Sequence, residues 1–127
     1  MSDQRDKILA CACDFRFMRS DRGFFCFPEI DINIPFLPGM QAIIRKAFPY
    51  YKLEEAVLTG KRYGAIELEA HRVITKASDS MEALMSDTLA FAKTLNKKRP
   101  IFGEMKRRFN KRLIDAIEKE DPYYIDS

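Results

Sequence analysis

Between Phe24 and Phe36 every second residue is apolar or proline: Phe24, Cys26, Pro28, Ile30, Ile32, Ile34 and Phe36, with Glu29, Asp31 and Asn33 in between. Successive side chains of a strand point to opposite faces, so this run reads as a half-buried β-strand. Pro28 restricts where such a strand can lie. Without an N–H to donate, it confines the run to a sheet edge, a bulge, or two strands broken at that point. Pro35 and Pro38-Gly39 then end it, and Arg19–Gly23 reads as the turn that precedes it.

The remaining elements follow from periodicity. Ile8, Cys11, Ala12, Phe15 and Met18 recur at three- and four-residue spacing and predict a helix over residues 3–14, passing into a short strand near Phe15–Met18. Met40, Ile43, Ile44, Ala47 and Phe48 predict a second helix over 39–49, stopped by Pro49. Tyr51–Leu58 and Tyr63–Ile74, joined by Thr59-Gly60-Lys61-Arg62, read as an antiparallel hairpin. A helix over 79–96 is expected to be capped by Asp79 with Glu82 three residues on, and to bury Met81, Leu84, Met85, Thr88, Ala92 and Leu95. A last helix is expected from Phe102 or Glu104 to Glu120, with Pro122 closing the ordered part. The expected fold class is therefore α+β: a small antiparallel sheet of three to five strands, with helices packed mainly on one face.

The 127 residues suit a single domain, 1–127, and ten phenylalanines exclude wholesale disorder. No apolar run approaches the ~18 residues of a membrane span. The opening Met1–Asp6 is polar and mixed in charge, unlike a targeting peptide, so a cytoplasmic setting is expected.

The net charge of +3 conceals a strong asymmetry. Residues 1–92 carry 12 Lys/Arg against 13 Asp/Glu, residues 93–112 nine against Glu104 alone, and residues 113–127 one against five. The segments thus stand at −1, +8 and −4. On a helical wheel Met105, Phe109, Leu113, Ala116 and Ile117 fall opposite Arg107, Arg108, Lys111 and Arg112, so residues 97–121 read as a C-terminal basic amphipathic helix. Lys97, Lys98, Arg99, Arg107, Arg108, Lys111 and Arg112 are the candidates for binding an anion or nucleic-acid phosphate, against the plainer reading of a solvated face.

Motifs for catalysis are missing from the sequence. Glu67, Glu69 and His71 alternate along an expected strand, but residues two apart are separated by about 6.6–6.8 Å, too far for all three to reach one ion. His71 is the only histidine and no Gly-x-Ser-x-Gly is present. Cys11, Cys13 and Cys26 lack Cys-x-x-Cys spacing, and the five glycines form no phosphate-binding loop. No catalytic residue, metal or cofactor is expected. Arg22-Gly23-Phe24 opens like an RNA-recognition strand, but Phe25 and Pro28-Glu29 break the pattern.

Surplus apolar side chains complete the reading. Phe25, Phe27 and Tyr51 are the candidates for a partner surface, because aromatics and Met are over-used at interfaces. The expectation is a small cytoplasmic, non-enzymatic protein-binding or adaptor domain, chaperone-like, bound to a protein partner or to itself as a homodimer. The alternative is a nucleic-acid-binding protein using the basic C-terminal helix.

Overall fold

The computed structural model describes residues 4–125. Its order is α1 (Gln4–Ala12), β1 (Phe17–Arg19), a 3-10 turn (Pro28–Ile30), α2 (Pro38–Ala47), α3 (Tyr50–Thr59), α4 (Ala65–Ala70), β2 (Lys76–Ser78), α5 (Met81–Thr94), α6 (Arg99–Phe109), α7 (Lys111–Asp115), a π-turn (Ala116–Glu120) and α8 (Asp121–Ile125). The expected antiparallel sheet of three to five strands is not found. Among the described residues the sheet is two three-residue strands, β1 and β2, paired in parallel with Phe17 opposite Lys76.

The alternating run 24–36 does not form a strand, and Pro28 explains why. Its fixed φ places it at the first position of the 3-10 turn, with Phe27 extended before it. Asn33 then takes a φ of 60°, which no strand residue adopts. Ile30, Ile32 and Ile34 all remain near half exposed, so their alternation marks no buried face. Only Phe25 pairs in the expected manner, exchanging N–H···O bonds of 2.8 Å with Tyr63 in both directions.

The expected hairpin is two helices instead. Leu53, Ala56 and Val57 stand three and four apart and pack against or within the core, which is a helical stripe hidden among aromatic and β-branched neighbours. Gly60, at φ 67°, ends α3 as a left-handed cap and does not turn a hairpin. Gly64 then starts α4, which buries Ala65 and Leu68.

Of the helix expected over 3–14, α1 forms over Gln4–Ala12 and ends before Cys13, residue 3 lying outside the described residues; the helix expected over 39–49 is α2. In α5 the cap is Ser80, not Asp79: its Oγ accepts from the Ala83 N–H at 3.0 Å. The expected buried stripe of α5 is rotated as well. Met81, Met85 and Leu95 face outward, and the helix is anchored by Phe91 against Phe15 and Phe17, with Asp87 accepting from Ser78 Oγ at 2.7 Å.

The core gathers Cys11, Phe27, Ile44, Ala47, Phe48, Ala56, Tyr63, Leu68, Val73 and Ile74. Phe27 is its aromatic centre, with Phe25, Phe36 and Phe48 at ring separations of 5.2–5.9 Å. Arg16 ties α1 to the chain beyond α4. Its Nε donates to the Val73 carbonyl at 2.7 Å, and its Nη1 to the carbonyls of Ala10, Cys11 and Cys13 at the end of α1. A guanidinium there satisfies carbonyls that a helix end leaves open and complements its negative pole. On the far side of β2, the Ala77 N–H donates to Glu69 Oε2 at 2.6 Å.

Residues 97–121 are divided among α6, α7 and the π-turn, with a break at Asn110. The π-turn lies just before Pro122, and the Asp121 N–H reaches back five residues to Ala116 O. Proline cannot join an i→i−4 ladder, and the wider turn accommodates it. Pro122 therefore does not close the ordered part, since α8 runs through it. No helix among the described residues is long and apolar enough to cross a membrane.

Candidate active site

One carboxylate lies in surroundings unlike those of the other acids. Glu29 occupies the middle of the 3-10 turn, between Pro28, which starts the turn, and Ile30, and is 3% exposed. The turn is held by Asp31 and Ile32 N–H donating to Pro28 O and by Ile34 N–H donating to Glu29 O at 3.0 Å. The side chain gains no such support. Among the described residues, Glu29 Oε2 is the buried side-chain polar atom without a hydrogen-bond partner. Burying a carboxylate oxygen without a donor costs several kcal/mol by the usual scale, and a fold keeps such a group for a reason. An acceptor with no partner has its lone pairs free for a proton brought by a ligand.

The contrasting case lies on α3 and α4. Glu55 Oε1 accepts from Tyr63 Oη at 2.9 Å and from Lys52 Nζ at 3.1 Å, with Lys61 Nζ at 3.4 Å. These partners, the Tyr63 hydroxyl first, pull its carboxyl down to about 2. Burial and the Glu55 contact push the Tyr63 phenol up. Glu67 accepts from Lys61 Nζ at 2.9 Å. Every acid here is committed to a cation or a hydroxyl, so the cluster fastens α3 to α4 and holds no free base.

The structure separates the three residues read as a strand face. Glu67 turns to Lys61, Glu69 to the Ala77 amide, and His71 Nδ1 lies 3.2 Å from Tyr51 Oη. Of the partner-surface candidates, Tyr51 is exposed, Phe25 packs against the core, and Phe27 is at its centre, where no partner can reach it. Of the anion candidates, Arg107 and Arg108 both bond Glu104, and Lys111 bonds Asp115 at 2.8 Å. Lys97, Lys98, Arg99 and Arg112 are exposed. Phe109, expected on the buried face, is 82% exposed.

Glu29 was legible only as one polar residue of an alternating run. The available signal was an acid directly after a proline, between Phe27 and Ile30, in a segment 24–30 otherwise made of Phe, Cys and Ile.

No family model matches the sequence. Among curated proteins, the enoyl-CoA delta isomerase 3 of Arabidopsis thaliana is 29% identical over 94 residues, covering 72% of this chain and 40% of that protein. An enoyl-CoA hydratase/isomerase family protein from Pseudomonas syringae superposes with a TM-score of 0.83 at 16% identity, over 92% of this chain and 51% of that one. The fold is that of enoyl-CoA hydratases and isomerases. An enoyl-CoA hydratase/carnithine racemase from Magnetospirillum magneticum reaches 27% identity with a TM-score of 0.68, over 86% of this chain and 40% of that one. The chain thus spans about half or less of the length of these enoyl-CoA proteins.

These similarities overturn the functional expectation. The proteins that share the fold and the sequence are enzymes of enoyl-CoA chemistry, which contradicts a non-enzymatic adaptor and contradicts a nucleic-acid binder built on the C-terminal helix. Missing local motifs were a poor ground for expecting no enzyme, because motif spacing reports only sites built from residues close in sequence.

Proposed function

We propose that Glu29 is the proton-transferring base of an enoyl-CoA double-bond isomerisation. Its partnerless, buried Oε2 carries the reading, together with the sequence similarity to an isomerase that acts on this class. Moving a C=C bond from the 3- to the 2-position of an acyl thioester requires one proton to leave the α-carbon and one to be returned at C4. A single carboxylate can do both. Glu29 takes the α-proton, electron density shifts over the four-carbon system to the thioester oxygen, and the Glu29 carboxylic acid, whose proton exchanges with solvent, delivers a proton at C4, regenerating the carboxylate. Charge developing on the thioester oxygen is stabilised by hydrogen-bond donors, and these are a separate requirement from the proton transfer assigned to Glu29.

The test is incubation with a 3-enoyl-CoA in deuterium oxide, following the conjugated product by ultraviolet absorbance and label in the acyl chain by mass spectrometry. Glu29→Gln, which keeps shape and removes the base, is expected to lower both rates by about 100-fold or more. Wild-type protein that neither shifts the bond nor exchanges label, or a Glu29→Gln variant as fast as wild type, overturns the assignment.

A further inference from the structure

α1 turns a lysine inward. Lys7 is 8% exposed, although a lysine side chain ordinarily keeps its charged end in water. Burying an ammonium is costly unless strong acceptors receive its protons. Lys46 meets that demand, because its Nζ donates to Ala12 O at 2.7 Å and to the Asp14 carboxylate at 3.0 Å. Lys7 is placed differently. Among the described residues its Nζ has one hydrogen-bond partner, the Cys26 sulfur at 3.8 Å, and it stands 6.0 Å from the centre of the Phe24 ring. A thiol sulfur is a weak acceptor, so the ammonium is poorly served there as a hydrogen-bond donor.

Cys26 is as enclosed as Lys7, at 7% exposed. It follows Phe25, whose main chain is fixed by its two bonds to Tyr63, while Lys7 is fixed by α1. Two separate elements therefore hold an amine and a thiol, 19 residues apart in sequence, against each other. Lys7 also lines a cleft of about 420 Å³, which a molecule as small as hydrogen peroxide enters. The site thus combines an oxidisable sulfur, a nitrogen nucleophile within a short movement of it, and a path for a small oxidant.

We propose that Lys7 and Cys26 are an oxidative modification site, at which hydrogen peroxide joins Lys7 Nζ to Cys26 Sγ through an S–N bond. The sulfur first attacks the peroxide. The O–O bond breaks, an S–O bond forms, and the thiol proton leaves with the departing oxygen as water, so that sulfur is oxidised to a sulfenic acid and the peroxide is reduced. Lys7 Nζ then attacks that sulfur. An S–N bond forms as the S–O bond breaks, and the ammonium gives one proton to the leaving oxygen, which departs as a second water, and one to solvent. No further oxidant is consumed. Cys11, the other buried thiol, competes poorly for the sulfenic acid, because burial pushes it up to about 12 and the attacking form is the thiolate. The link ties α1 to the segment leading into the 3-10 turn, and its chemistry is independent of Glu29 and of the reaction assigned to it.

The test treats the chain carrying Cys13→Ser, which removes the exposed thiol, with hydrogen peroxide, and reads intact mass and then linked peptides by tandem mass spectrometry. A loss of about 2 mass units is expected, carried by a peptide pair that joins Lys7 to Cys26. Dithiothreitol should reverse it, since a thiol displaces the amine from the sulfur. Lys7→Arg keeps the positive charge without a nucleophilic amine, and is expected to lower the yield of linked protein about tenfold or more, with Cys26 carried on to the sulfinic acid instead. Circular dichroism checks that the variant is folded, and the linked peptide from the Lys7 protein decides the matter where it is not. A disulfide between Cys11 and Cys26, which has the same mass but different peptides, overturns the proposal. So does sulfinic acid at Cys26 with Lys7 present, or a Cys26 that peroxide leaves unchanged. Glu29→Gln should form the link as readily as the Glu29 protein, so a failure of catalysis and a failure of cross-linking are told apart.

Discussion

The Gly39 N–H donates to Asp121 Oδ1 at 2.6 Å, joining residues 82 apart in sequence. Asp121 thereby caps the first turn of α2 from the far end of the chain, where Leu37 supplies no side-chain cap. The approach is close. A Cβ on residue 39 would stand 2.7 Å from Ile117 Cγ1 as well as against the Asp121 carboxylate. Asp121→Ala is expected to cost about 1–2 kcal/mol, the scale of a lost cap. Gly39→Ala is expected to cost about 1–3 kcal/mol by overpacking. Because Asp121 and Gly39 act at one contact, the double variant should lose less than the sum of the two. Thermal or urea unfolding of the three proteins checks this.

Acid stability is expected to depend on Glu55. Its carboxyl is held at about 2 in the folded chain, below the ordinary glutamate value near ~4.3. A depressed carboxyl contributes stability that is fully present above its unfolded value and is lost as pH falls towards the folded one. The difference in melting temperature between wild type and Glu55→Gln should therefore be largest above about pH 5 and shrink as pH falls through about 2. Tyr63→Phe removes the leading cause of the depression and should move the loss to higher pH. Melting curves across this range decide the matter.

The three thiols should react in a fixed order. Cys13 is exposed, whereas Cys11 and Cys26 are buried, and burial pushes the Cys11 thiol up to about 12. The thiolate is the reactive form, so at pH 8 a maleimide is expected to modify Cys13 in the native protein and all three only after unfolding. Intact mass before and after adding denaturant gives the count. Modification of Cys11 as fast as Cys13 would contradict the burial seen at the end of α1.

What could be read from sequence divides by how local the cause is. α1, α2 and α5 were legible because each carries a run of apolar spacing long enough to outweigh propensity. α3 was not, because Tyr50, Tyr51 and Val57 favour strand in isolation while the helix is decided by where Leu53, Ala56 and Val57 meet the core. The run from Ile30 to Ile34 is the converse case, a period of two without a sheet to receive it. Glu29 was the least legible of all. An unsatisfied oxygen is a property of the packed interior, and nothing in the residue's neighbours along the chain states it.

The bond from Glu69 to the Ala77 amide has a consequence for growth. A repeating filament needs two complementary ends, one to offer and one to receive. With a carboxylate seated on the Ala77 amide, one outward N–H of the second strand is already taken, which makes that edge a poorer template for a strand of another copy. Growth of a stack through β2 is thereby discouraged by a side chain of the protein itself, without a covering strand.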